Sequence, residues 1–274
     1  MNLHFPLSDV TLMKVDETRR VQKPDYADSF WQMNQNEFAM QVDEVGNFYA
    51  CGGNVVEYAP ENGVSRATLE VYLNGSVYGA ILHQRRILPI HGSSFIEKGM
   101  GIMLCGESGA GKSSLTAAFC LDGAEFLTDD VTPIVFKNQL PEILPLSDRI
   151  KLWQDCLQQL KREGKSLVPI WEGEPKYYFP MEKNLRHSVP LEQVFIIEAG
   201  DFKQVEHSPV TGVEAFSAIR NEVYRWEYLS AMPESEKRYL EQLIIMSSRL
   251  KITIIKRPGG IGVKEMKAIL RELI

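Results

Sequence analysis

The eight residues Gly106-Glu-Ser-Gly-Ala-Gly-Lys112-Ser113 match the pattern G-x-x-x-x-G-K-[ST] at every fixed position. The spacing has a physical reason. Glycines let successive backbone N–H groups turn inward around a phosphate without side-chain clash, and the helix that follows adds the positive end of its dipole. The flanks supply the required context: apolar Gly101-Ile-Met-Leu-Cys105 reads as a buried strand, and Ser114-Leu-Thr-Ala-Ala-Phe-Cys120 as a helical run. A strand entering such a loop and leaving as a helix restricts the chain to an α/β layer. Residues Gly106, Glu107, Ser108, Gly109, Ala110, Gly111, Lys112, Ser113 and Ser114 are therefore the expected nucleotide-binding segment. Within it, Lys112 reaches the β- and γ-phosphates and the Ser113 hydroxyl completes a magnesium shell.

The rest of the chain agrees with this class. Strand-like runs at 126–128, 132–136, 194–198 and 252–256 alternate with helical patterns at 112–121, 213–225, 235–250 and 263–273. Such interleaving implies an α/β core with both faces of the sheet covered. The first third differs. Phe38 to Val42 alternates apolar and polar residues, and Val45-Gly46-Asn47 turns the chain into Phe48-Tyr-Ala50, which predicts a hairpin. Ser65 is a candidate N-cap for one helix over 65–86. With 274 residues, the expectation is a small α+β N-terminal domain over 1–87 and a phosphate-loop domain over 88–274.

Thirty Lys and Arg against 36 Asp and Glu give a net charge of −6, which argues against non-specific nucleic-acid binding. Residues 1–12 lack the basic and apolar regions of a signal peptide, and no run approaches a membrane span. Cys51, Cys105, Cys120 and Cys156 are scattered without a C-x-x-C pair, so free thiols in a reducing cytoplasm are expected rather than zinc or disulfides.

Two acids, Asp129 and Asp130, close the strand-like run Glu125-Phe-Leu-Thr and follow Lys112 by 17 and 18 positions. That separation lets the next strand lie beside the loop's own strand. One acid can then hold metal while the other accepts a proton, although a polar turn explains the pair equally simply. His91, in Leu88-Pro-Ile-His91-Gly, precedes the strand that enters the loop and reads alone as either a core or a catalytic histidine.

Taken together, Leu88-Pro-Ile-His91-Gly, Gly106 to Ser113 and Phe126-Leu-Thr-Asp129-Asp130 resemble the catalytic domain of the HPr kinase/phosphorylase family. Ile150-Lys-Leu-Trp153, Lys176-Tyr-Tyr and Pro190-Leu-Glu-Gln-Val-Phe195 extend the likeness, and look more like short HPr-kinase-like proteins of peptide-modification clusters, such as lasso-peptide precursor kinases. The resemblance implies a phosphoenolpyruvate carboxykinase-type phosphate-loop fold, ATP and Mg2+ as cofactors, and a peptide or small-protein acceptor carrying serine. No nucleic acid or membrane partner is expected from the charge and the lack of an apolar span, and the resemblance leaves a homo-oligomer open. By the same resemblance Asp129 is the catalytic base, Ser113 and Asp130 hold magnesium, and His91 and Lys112 sit at the transferred phosphoryl group. Arg149, Lys151 and Lys176 are candidates for phosphate or substrate contacts, each equally readable as a solvated surface cation. The family's E-I-R-G-L-G signature is absent, which implies a relative with a different acceptor. A kinase of a small hydroxy compound such as free serine, and a nucleotide-dependent binding module without transfer, remain as alternatives.

Three further features read as structural: the turn Gly259-Gly-Ile-Gly262 entering the last helix, an aromatic group at Trp171, Tyr177, Tyr178 and Phe179, and a solvated helix face at Lys161-Arg162.

Overall fold

Period-2 patterning places Phe38 and Met40 inside and Gln41 outside, and this strand founds the first of two units. A computed structural model describes residues 3–162, 167–171, 173–182, 185 and 187–274. The first unit comprises Met1–Pro89, Ile170–Glu172 and Tyr224–Glu241, so it is not the continuous stretch 1–87 expected. Its strands are β1 (Thr11–Lys14), β2 (Tyr26–Ala27), β3 (Trp31–Met33), β4 (Glu37–Val42), β5 (Gly46–Cys51) and β6 (Val55–Pro60). They form one sheet in the order β1-β6-β5-β4-β3-β2, containing the expected hairpin as β4–β5.

The single helix expected over 65–86 is instead α1 (Arg66–Tyr72), a π-helical turn at Leu73–Val77, and α2 (Tyr78–Gln84). Ser65 caps it as expected, its side chain accepting from the Thr68 N–H at 3.1 Å. The disruption centres on Asn74-Gly75, residues of poor helix propensity. A Cβ on Gly79 would stand 3.1 Å from the Tyr224 ring, so glycine there lets that ring approach the helix.

The second unit comprises Ile90–Pro169, Gly173–Val223 and Gln242–Ile274. Chain order runs β7 (Leu88–Glu97), β8 (Met100–Cys105), α3 (Lys112–Cys120), β9 (Glu125–Thr128), β10 (Val131–Lys137) and β11 (Leu140–Ile143). It continues through β12 (Arg149–Trp153), α4 (Gln154–Gln159), β13 (Val168–Pro169), β14 (Lys176–Pro180), β15 (Val189–Gly200) and β16 (Glu206–Val210). The last elements are α5 (Gly212–Asn221), α6 (Pro233–Arg249), which belongs to this unit only from Gln242, β17 (Lys251–Pro258) and α7 (Val263–Leu273). The main sheet follows the order β11-β10-β7-β8-β15-β17-β16, with β9 joined to β7. Its parallel heart is β8–β15–β17, the apolar runs that strands buried on both faces require. A second sheet, β12-β14-β13, stands apart from it.

Helix α3 is buried on two sides. Leu115 and Phe119 pack with Phe95, Ile102, Leu104, Phe195, Ile255, Met266 and Leu270, while Ala117 joins Phe126, Ile150, Leu152 and Phe179. Phe95 and Phe119 stack with centroids 4.7 Å apart. The helix that follows the glycine-rich loop is thereby packed from both directions.

Several expectations are corrected. The helix expected to reach 225 ends at Asn221, because Val223 forms a β-bridge with Ile90 and the Tyr224 N–H donates to the Pro89 carbonyl. Lys161 and Arg162 lie beyond α4, and Lys161 adopts a positive φ of 54°, so they form a turn rather than a helix face. The four aromatics do not form one group: Trp171 packs edge-on against Tyr72, Tyr178 lies under the Arg149 guanidinium, and Phe179 is core. All four cysteines are free thiols. Among the described residues no helix is long and apolar enough to cross a membrane.

Phe119→Ala removes the ring at the centre of the α3 packing. It is expected to lower unfolding stability by about 3–5 kcal/mol, read as a reduced urea midpoint with unchanged slope.

Candidate functional site

Strand β8 delivers the chain into the loop at Gly106, whose φ is +128°. A Cβ there would stand 2.2 Å from the carbonyl oxygen of Ile197 on neighbouring β15, so only glycine lets the loop begin this close to the sheet. Gly109 and Gly111 also take positive φ, 86° and 97°, and Gly111 caps α3. The Lys112 ammonium is folded back into the loop, donating to the Gly106 carbonyl at 2.6 Å and the Glu107 carbonyl at 3.0 Å. Burial lowers its pKa, against the opposing pull of nearby acids.

Beside the loop, the end of β9 carries the acid pair. A buried hydroxyl ladder sets its place: Ser94 meets Thr128, Thr128 meets Thr132 at 2.6 Å, and Thr132 donates to the Gly92 carbonyl at 3.1 Å. Asp130 takes a left-handed backbone with φ 69°, a conformation uncommon outside glycine and concentrated at functional sites.

The two carboxylates differ. Asp130 pairs with the Lys151 ammonium at 2.6 Å. Burial alone would raise its pKa, but Lys151 overrides this and holds it far below the usual carboxylate range, while the Lys151 pKa is raised in turn. Asp129 accepts the Lys151 backbone N–H at 2.8 Å through Oδ2. Its Oδ1 is buried, and no described residue hydrogen-bonds to it. Burial and the Asp130 charge raise the Asp129 pKa, with the Lys151 amide and the Ser113 hydroxyl acting the other way.

His91 donates its backbone N–H to the Glu222 carbonyl at 2.6 Å. Its imidazole pKa is lowered by burial and then by Lys112, and raised by Asp130. These groups meet at a cavity of about 730 Å³ whose wall includes His91, Lys112, Ser113, Asp130, Lys151 and Lys176. Asp129 is not on that wall, nor is Arg149, whose guanidinium stacks on Tyr178 at 3.8 Å. At the mouth, Trp153 is 41% exposed with the Lys176 ammonium 5.1 Å from its ring centre.

Two site residues escape sequence reasoning. The Glu222 carboxylate accepts the Gly106 N–H at 3.1 Å from 116 positions away, and no local pattern marks it. Burial raises its pKa. Arg257 donates to the carbonyls of Ala110 at 2.9 Å and Gly109 at 3.1 Å. It stands just before the glycine-rich turn at 259–262, which drew attention only as a turn.

No family model matches the chain, and no curated protein matches it. Among solved structures, it is similar to the HPr(Ser) kinase/phosphatase from Coxiella burnetii at 12% identity and a TM-score of 0.33, over 68% of this chain and 95% of that one.

The His91 imidazole is expected to titrate below the ordinary value in an NMR pH series. Lys112→Met is expected to shift it upward and Asp130→Asn downward, since the lysine opposes and the aspartate favours the charged ring. Because the folded-state pKa is depressed, the unfolded chain takes up this proton first. The His91 contribution therefore makes stability fall as pH drops below about 6.5.

Proposed function

We propose that this protein is an ATP- and magnesium-dependent kinase that phosphorylates a hydroxyl, serine above all, on a peptide or small protein. The observation that carries the reading is one cavity joining a phosphate loop, its buried lysine and an acid that stays ionised. Phosphoryl transfer asks mainly for such positioning and charge, with little covalent help from the protein.

The sequence reading makes Asp129 the base and Asp130 the metal-side acid; the reading proposed here exchanges the two roles. Asp129 Oδ1 is buried without a hydrogen-bond partner among the described residues, and the Ser113 hydroxyl acts on the same carboxyl; a magnesium ion held there would draw down the raised Asp129 pKa and supply the missing partner. A phosphate-bound magnesium needs only one or two protein ligands, so the absence of a three-residue His/Cys/Asp/Glu cluster among the described residues does not oppose this. Magnesium held there would neutralise charge on the β- and γ-phosphates. Asp130 faces the cavity.

The acceptor oxygen forms its bond to the γ-phosphorus as the bond to the β–γ bridging oxygen breaks, ADP leaves, and the hydroxyl proton passes to Asp130. In a loose transition state that proton leaves late, from an oxygen already acidified by bonding, so a weak base suffices. Neutral His91 and cationic Lys112 flank the moving phosphoryl group. Exposed Trp153 at the mouth suits an acceptor longer than free serine.

The test is transfer of labelled phosphate from ATP to serine-containing peptides, including any encoded beside the gene. Lys112→Met and Asp130→Asn are expected to lower turnover at least 100-fold. Asp129→Asn is expected to raise the magnesium concentration needed for half-maximal rate. Nucleotide binding with no transfer to any acceptor, or competition by free serine at the concentrations that bind peptide, would overturn the kinase or its acceptor class respectively.

A further inference from the structure

Arg257, near the end of β17, is 8% exposed, and each of its three guanidinium nitrogens donates to a backbone carbonyl. Nε donates to the Ala110 carbonyl, Nη2 to the Gly109 carbonyl, and Nη1 to the Pro258 carbonyl at 3.1 Å. Among the described residues no carboxylate pairs with it. Burial is the sole influence on its pKa, which it lowers. A buried cation without a counter-charge is expensive, so its retention asks for an anion that the described residues do not supply. The same side chain lines the cavity, and its Nη2 would stand 3.5 Å from a Cβ on Gly111.

The bonds to the loop have a directional consequence. In a planar trans peptide the C=O and N–H point opposite ways. Holding the Gly109 and Ala110 carbonyls therefore turns the N–H groups of Ala110 and Gly111 away from the guanidinium. The Ala110 N–H is used to close the turn onto the Glu107 carbonyl at 3.1 Å. The Gly111 N–H is left on the side of its peptide opposite the guanidinium. Lys112 differs from Arg257 in this respect: phosphate would draw its ammonium off the loop carbonyls, whereas Arg257 can keep its carbonyls with phosphate bound.

We infer that Arg257 is the positioning residue of the phosphate cradle: its fork fixes the peptide orientation at 109–111, and its charge is matched by the phosphates of the bound nucleotide. The inference rests on the phosphate-binding half of the proposed function and not on transfer.

Calorimetric titration of magnesium pyrophosphate and magnesium ADP into wild type, Arg257→Met and Arg257→Lys tests it, with circular dichroism verifying each fold. Arg257→Met is expected to bind both probes at least tenfold more weakly. Arg257→Lys, which keeps the charge but lacks the planar fork, is expected to fall between. The salt dependence of ADP affinity is expected to be shallower in Arg257→Met, a change that lost packing alone would not produce. Affinity within twofold of wild type in Arg257→Met overturns the inference. If that variant does not fold, Arg257→Lys within twofold of wild type overturns it. Wild type that binds neither probe overturns both this inference and the kinase reading. Binding with the expected losses, but no transfer to any acceptor, leaves Arg257 standing and removes the kinase.

Discussion

The strand-to-helix turn at Gly106 leaves no room for a side chain, since the Ile197 carbonyl oxygen occupies the place where a Cβ would stand. This close approach ties the phosphate loop to β15, the strand at the centre of the parallel trio. The loop takes its position from that contact. The loop opens against β15, α3 is fixed behind it by apolar packing on two sides, and β7 and β9 set the neighbouring residues in register. A turn whose conformation is imposed by backbone crowding holds its amides in one arrangement.

Such a cradle gathers positive charge, and the structure manages it by unequal means. Lys112 and Arg257 are both solvated by carbonyl oxygens in place of water. Lys151 is neutralised by a direct ion pair with Asp130. The same ion pair separates two adjacent acids that would otherwise behave alike. Asp130 gains a cation and stays ionised; Asp129 is buried beside that negative charge and is driven toward protonation. Adjacent residues of one type thus acquire different chemistry from their surroundings alone. Glu222 adds a further link, because its backbone carbonyl holds His91 while its carboxylate holds Gly106.

Much of this was legible from local pattern. The loop, its flanking strand and helix, the β4–β5 hairpin, the Ser65 cap and the apolar strands of the parallel core each follow from residues within about ten positions of one another. The elements that escaped are those without such a signature. Short strands β1 and β2 are largely exposed, and β3 is only three residues long, so none carries much apolar alternation. Strand β12 follows from its pairing with β14, and the shortened α5 from the bridge between Val223 and Ile90. In the site the pattern is the same: Lys112, Ser113 and the acid pair stand in or near a motif, whereas Glu222 and Arg257 reach it from 116 and 147 positions away.

Residue order by itself determined that a glycine-rich loop joins a buried strand to a helix and that two acids follow it closely in sequence, because glycine spacing and hydrophobic period act over a few residues. Which acid faces the cavity, which cations are neutralised, and what holds the loop from behind were decided only in three dimensions. Charge state and peptide orientation depend on neighbours contributed by distant strands, and burial strengthens those neighbours' influence by removing water from between them.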